Sequence, residues 1–408
     1  RLLAAVVREV NSPTPKEIKY TLRVWDMDRK EQMLTVTYPD ELMNLKFSPD
    51  GEHCASIINN DPYVHIWNIK SGKESRRMKH TWGIQCALFN PDGTILATAS
   101  DDRTLRLWDP KSGEEIKRIP HRQGIRSFAF CSHPEGDYIA SMGYDDPLVR
   151  LWHAQTGKMA YSLKHTGIVN AFTVSCDGKR LATACADRHV HAWETGTGKK
   201  LCALRHKKSV TTLALSPDGR LLATSSGDPY ADIWETSGGK KVGRVMQEIT
   251  REGTTHSFIV DVVAFSPQGR HLASGNIEGG VWVWEIENQR KIAFLDHDNV
   301  LNCLVFSPDG NHLATACNDG TVHVWEIKKG QEIARMNHAR GIHEVAFTSD
   351  GKFIMTASAD HRVRKWLWRP DDMVKEACGR IRRNLTMNEW RRYIGNERYC
   401  RTCPDVGE

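Results

Sequence analysis

Apolar and polar positions alternate along this chain in short runs, and the runs recur. Residues 96–121, LATASDDRTLRLWDPKSGEEIKRIPH, show the unit. A small apolar run leads to an acidic turn at Asp101-Asp102, then to an alternating run from Thr104 to Trp108. A second turn at Lys111-Ser112-Gly113 precedes another run that ends at His121. The order returns at residues 181–206, 222–234 and 313–338. Runs of five or six alternating residues bounded by Gly, Pro and Asp predict β-strands, four to a period. That density leaves no room for crossover helices, so the predicted sheets are antiparallel. Tryptophans mark one point of the pattern at Trp25, Trp67, Trp108, Trp152, Trp193, Trp234, Trp284, Trp325 and Trp366, at separations of 42, 41, 44, 41, 41, 50, 41 and 41 residues. Such a period predicts stacked repeats, because one small sheet cannot bury both faces alone.

Other residues keep step with the tryptophan. Six positions before it stands an acid, at Asp61, Asp102, Asp146, Asp187, Asp228, Asp319 and Asp360, with Glu278 in one repeat and Lys19 in the first. Thirteen positions after it stands His80, His121, His165, His206, His297 or His338. His256 joins the set by its distance to Pro267, and Tyr38 takes the place ahead of Pro49. A hydroxyl recurs just upstream of the acid, at Ser56, Thr98, Ser141, Thr183, Thr224, Ser274, Thr315 and Thr356. With turns such as Ser216-Pro217-Asp218-Gly219, these residues resemble the WD40 family over roughly residues 1–368. The Trp-Asp pair itself survives only at Asp26 and Asp109. The resemblance implies an all-β propeller of four-stranded antiparallel blades, seven or eight with a partial repeat. It also implies a buried Asp–His–Ser/Thr–Trp chain within each blade, and Asp102, His121, Thr98 and Trp108 are expected to form one such set. A zinc reading of the histidines is disfavoured, since each repeat offers one His and one carboxylate while zinc takes three or four convergent ligands.

Eight complete units follow a partial first one, and the chain begins at Arg1 inside a repeat, as a fragment would. Two ring arrangements fit: one ring of eight or so blades, or a seven-blade ring over 73–368 with residues 1–72 ending a preceding propeller. The second is favoured slightly. The separation of 50 between Trp234 and Trp284 places an insertion, expected within residues 244–255 on the register of His256. After Trp368 the pattern becomes helical over 369–408, with acids at Asp371 and Asp372 and a Thr386/Glu389 capping box. This tail resembles the end of bacterial multidomain WD40 signalling proteins, which implies an N-terminal effector upstream. The lone Cys400/Cys403 pair lacks the second pair of a zinc ribbon.

Bulk properties add limits. The net charge of +6 on 408 residues is mild and does not by itself indicate nucleic acid. The longest uncharged apolar run, residues 2–7, is too short to span a bilayer, so no membrane partner is expected. Eleven scattered cysteines favour reduced thiols and a cytoplasmic location.

Three functions are compatible with such a chain. A non-catalytic scaffold or sensor would bind a protein or peptide at one end of the propeller. Its candidate contacts are Trp82, Arg103, Arg122, Tyr144, Arg188, Lys207, Tyr230, Phe258 and Arg340, since aromatics and Arg dominate interface energetics. A propeller enzyme of the quinone-dependent dehydrogenase kind would repeat Thr-Gly-Lys turns like Thr156-Gly157-Lys158 and Thr197-Gly198-Lys199, but there the Trp follows the turn, and here Trp152 and Trp193 precede it. No nucleophile elbow, P-loop or HExxH motif is present. A nucleic-acid-binding propeller is disfavoured by the mild charge. The expectation is therefore a chain without catalytic, cofactor or metal residues.

Overall fold

The computed structural model describes residues 2–10, 18–26, 31–133, 136–251, 254–297, 299–348, 350–360, 362–369 and 371–373. The sheets follow chain order as antiparallel meanders, numbered here 1 to 9. Sheet 1 has three strands, Leu2–Val10, Ile18–Asp26 and Glu31–Tyr38. Sheets 2 to 8 have four each and cover residues 42–79, 84–120, 125–164, 169–205, 212–246, 262–295 and 301–337. Sheet 9 has three, Ile342–Phe347, Phe353–Ser358 and Arg362–Leu367. Of the eight units expected to be complete, seven are so among the described residues. The eighth shows three strands among the described residues. Residues 371–373 are helical; the rest of the expected helical tail lies outside the described residues.

The second strand of each unit is the most buried. All five residues of Leu96–Ser100 and all six of Tyr138–Gly143 are buried, because these strands have a neighbouring sheet on both faces. Small side chains such as Ala97 and Ala99 let the sheets approach closely. Fourth strands are the opposite: Glu115–Pro120 buries only Ile119. The third-to-fourth pairing slips by a residue just before the tryptophan, between Leu107/Trp108, Leu151/Trp152, Val283/Trp284 and Val324/Trp325 among others. A β-bulge of this kind re-aims one side chain. The re-aimed indole enters the core of the sheet before it: Trp108 packs with Ile57, Val64 and Ile66, and Trp152 with Leu105, Leu107 and Ile119. Each such tryptophan removes about 150–250 Å² from water, worth about 4–6 kcal/mol at ~25 cal/mol per Å².

Sheet 1 joins this series. Leu22, Val24, Leu34 and Tyr38 share a core with Cys54, Ile58 and Ile69 of the next unit. At the other side, Leu2–Val10 comes within 8 Å of Arg362–Leu367 between Cα atoms.

The extra residues before Trp284 form a two-stranded ribbon, Glu248–Arg251 paired with Thr254–Ser257. This corrects the register of His256. It lies in the ribbon opposite Ile249 and is exposed. Gln247 stands in its stead, thirteen residues after Trp234. Its N–H donates to Pro229 O at 2.8 Å, as His80 N–H does to Pro62 O and His165 N–H to Pro147 O. The insertion therefore follows position 247, and the histidine position was filled by a different residue type.

Candidate functional site

The polar set behind most of the register tryptophans is a chain of hydrogen bonds whose order the chemistry dictates. In sheet 3, Trp108 Nε1–H donates to Thr98 Oγ1 at 2.8 Å, since an indole can only donate. Thr98 in turn donates to His80 Nε2 at 2.7 Å, and His80 Nδ1–H donates to Asp102 at 2.9 Å. Asp102 also receives Arg106 Nη2 at 2.8 Å, the Thr81 N–H at 3.1 Å and the Thr104 hydroxyl. Burial lowers the His80 pKa to about 4, against the pull of Asp102. For Asp102, burial opposes ionisation, but the hydroxyl of Thr104, the N–H of Thr81 and His80 outweigh it and hold the pKa below the usual carboxylate range.

His121 does not belong to this set, contrary to the expected grouping. It meets Ser141 at 2.8 Å in sheet 4, where Ser141 also accepts from Trp152 at 2.8 Å. His80, His121, His165, His297 and His338, each following a fourth strand, bond the hydroxyl of the next sheet, so the partner of Asp102 comes from the unit before it, while His206 Nε2 has no partner among the described residues. His338, Asp360, Thr356 and Trp366 repeat the complete chain in sheet 9. Elsewhere it is altered. Asp146 turns to Arg150 at 2.7 Å, leaving His121 Nδ1 without a partner among the described residues. His165 Nδ1–H donates to Pro147 O instead, and Tyr38 replaces histidine on Ser56 at 3.0 Å.

His297, Cys317 and His323 bring their ligand atoms within 4.8 Å of one another, all buried. Both nitrogens of each ring are already engaged, His297 with Gly279 O and Thr315, His323 with Thr321 and Glu332. The trio works as blade packing with its hydrogen bonds satisfied.

The two ends of the sheets differ. At one end, which we call the lower, first-to-second turns repeat a single solution. Ser48, Ser175, Ser216 and Ser307 bond the aspartate two residues on and accept the N–H five residues on. A cleft of about 480 Å³ opens beside these turns between sheets 7 and 8, near His271, Arg290, Asn311 and His312. The upper end carries the second-to-third turns and the connections into each first strand, held together by bonds such as Asp101 N to Gly83 O and Tyr144 N to Gly124 O. Most exposed large apolar side chains stand here: Met43, Trp82, Tyr144, Ile168, Ile259, Ile277 and Val300.

The candidate contacts divide on this end. Trp82 is 67% exposed and Tyr144 42%. Arg103, Arg122, Arg188, Lys207 and Arg340 are exposed, and Arg188 donates to Lys207 O at 3.2 Å, which brings those two together. Tyr230 is half-buried under the Arg244 guanidinium, 3.5 Å from its ring. Phe258 is half-buried against Trp282, with ring centroids 5.9 Å apart. Trp82 and Tyr144 flank one carboxylate, Asp101. Trp82 and Asp101 line a cleft of about 290 Å³, and a Cβ on Gly124 would lie 3.5 Å from Asp101 Oδ1 and 3.4 Å from the Tyr144 ring. Asp101 was missed from sequence because it stands beside the register acid and looks like part of the same turn.

Among the described residues no helix is long and apolar enough to cross a membrane. The model of the family "WD domain, G-beta repeat" matches residues 72–109, 157–194, 198–235, 247–285, 289–326 and 330–366. Coronin-7 of Mus musculus is 38% identical over 151 residues, 36% of this chain and 12% of that protein. Apoptotic protease-activating factor 1 of Danio rerio is 27% identical over 135 residues, 33% of this chain and 11% of that protein. A coronin-like protein of Saccharomyces cerevisiae is 32% identical over 54 residues, 13% of this chain. The chain thus spans 8% to 12% of the length of these relatives. The crystal structure of the computationally designed Ika8 protein superposes with a TM-score of 0.61 at 22% identity, covering 81% of this chain and 97% of that one. That likeness concerns the fold, an all-β propeller of antiparallel sheets.

Proposed function

Because the chain belongs to the WD40 family of G-beta repeats, we propose that it is a non-catalytic scaffold or sensor that holds a protein or peptide at the upper end of its propeller. One observation carries this reading. Most of the recurring hydroxyls and histidines are spent inside the blades, while exposed apolar and basic side chains collect on the upper end. Aromatic and Arg side chains at such a surface are the types that dominate binding energy. Trp82, Arg103, Arg122, Tyr144, Arg188, Lys207 and Arg340 are the exposed contacts of this proposal, with Tyr230 and Phe258 supporting them from below.

We read residues 1–368 as one repeat array, which the shared core of sheets 1 and 2 supports. The buried thiols Cys54, Cys131, Cys185 and Cys317 fit a reducing, cytoplasmic compartment. The tail resemblance supports a place at the C-terminal end of a bacterial signalling protein, with an effector upstream.

A pull-down from bacterial lysate tests the reading, comparing wild type with a Trp82→Ala/Tyr144→Ala/Tyr230→Ala variant. Loss of specific partners in the variant is the expected result. Equal capture by both would remove the aromatic end from the proposal. Turnover of a small substrate, abolished by a point change, would remove its non-catalytic part.

A further inference from the structure

The upper end is not uniform, and one sector concentrates a particular chemistry. The residue just before the register acid is Asn60, Asp101, Asp145, Ala186, Gly227, Ile277, Asn318 or Ala359, so an acid stands there only in sheets 3 and 4. The same two sheets carry the exposed aromatics, Trp82 and Tyr144. Asp101 and its neighbour Asp102 are spent differently. Asp102 is held by His80, Thr81, Thr104 and Arg106. Asp101 Oδ2 accepts from the neutral amide of Gln85 at 2.7 Å, and among the described residues no Lys or Arg forms an ion pair with it. Its other oxygen, Oδ1, lies 3.5 Å from where a Cβ on Gly124 would stand, with no hydrogen bond to it among the described residues. Glycines at 83 and 124 keep the floor free of side chains, so a ligand can approach the carboxylate closely. The cleft beside it is lined by Met43, Asn59, Asn60, Trp82, Gln85 and Asp101, with acceptor oxygens and an indole face but no basic residue.

We infer that this cleft receives one cationic side chain, arginine or lysine, from the partner peptide. The inference rests on the scaffold reading above and names the chemistry that its surface selects. An indole face attracts a cation through the ring quadrupole, and a carboxylate with a free oxygen supplies the opposite charge. A planar guanidinium satisfies both at once, because it stacks on a ring and forks onto a carboxylate, so arginine is favoured over lysine. A cleft of about 290 Å³ is of the size for one long side chain, not for a folded element.

The test measures equilibrium binding of fluorescent peptides that share Gly-Ser flanks and differ only in a central Arg, Lys, citrulline or norleucine. Citrulline keeps the shape of arginine and removes its charge. The Arg peptide should bind about tenfold more tightly than the citrulline peptide, the equivalent of 1.4 kcal/mol. Asp101→Asn should abolish that preference. Trp82→Ala should weaken the Arg and Lys peptides about fivefold, in the range of a partly exposed cation–π contact. Both variants should keep the wild-type melting temperature. Equal binding of Arg and citrulline peptides, no measurable binding of any, or an Asp101→Asn protein that still discriminates would each overturn the inference. If the aromatic triple variant still loses its lysate partners in that event, the scaffold reading stands and only the cation preference falls.

Discussion

Sheets 3 and 7 occupy equivalent places in the repeat and solve the same problem with different chemistry. Sheet 3 has the full chain from Trp108 through Thr98 and His80 to Asp102, closed by the buried Arg106. Sheet 7 has Gln247 at the histidine position, exposed Glu278 at the acid position and Trp282 where Arg106 stands. In the amide orientation that pairs both of its atoms, Gln247 donates to Ile259 O and accepts from Ser274 Oγ and Gly275 N. The Trp284 indole N–H has no partner among the described residues. Both sheets bury their tryptophan in the preceding core. The lesson is that apolar stacking is the common requirement, and that the polar chain is one way of satisfying groups which stacking has already buried.

That contrast can be broken most sharply at the acid. Asp102→Ala leaves buried His80 without its acceptor and removes one of the two carboxylates of Arg106, which keeps Glu115 at 3.1 Å. It should cost about 3 kcal/mol in urea unfolding, the low end for breaking a buried ion pair. Glu278→Ala, at the same point of an exposed turn, should fall within about 0.5 kcal/mol of wild type. Equal costs at the two positions would mean that the polar chain contributes nothing special in sheet 3.

Acid sensitivity should separate the sheets next. The folded pKa of His80 is about 4, below the ordinary histidine value of 6.5, because burial disfavours the imidazolium. Between those values the unfolded chain binds more protons than the folded one, so this histidine's contribution is complete above pH 6.5 and is lost as pH falls toward 4. His80→Gln, which imitates sheet 7, should flatten that limb of the stability–pH curve by about 3 kcal/mol at most. Gln247→His should steepen it. Urea midpoints across this pH range would show either change.

The tryptophans themselves should give a smaller difference. Trp108→Phe loses the hydrogen bond to Thr98 and leaves that hydroxyl one donor short, at about 1–2 kcal/mol beyond the packing loss. Trp284→Phe has no such bond to lose and should cost only its packing. Smallest of all should be Trp82→Ala, whose exposed ring leaves stability within about 0.5 kcal/mol of wild type. A large destabilisation there would reassign Trp82 from recognition to packing.

Much of the architecture was legible because it is periodic. A nine-fold tryptophan register, strand-length alternation and glycine-bearing turns determine antiparallel sheets of this size, since no other arrangement buries both faces of each. The burial of Thr98, Trp108, His121 and Asp102 was legible for the same reason. Which histidine serves which acid was not. His80 and His121 lie 22 and 19 residues from Asp102, and only the stacking of one sheet on the next selects the first. Proline spacing pointed to His256, whereas strand pairing put Gln247 in the buried position, because backbone hydrogen bonds count residues along the ladder and ignore a ribbon inserted beyond it. The setting of Asp101 between Trp82 and Tyr144 joins residues 19 and 43 positions apart on two sheets, and side chains that meet across a sheet boundary leave no mark in the period. Repetition along the chain specifies what every blade shares; contacts between neighbouring blades, which depend on how their differing loops pack, decide what is particular to each.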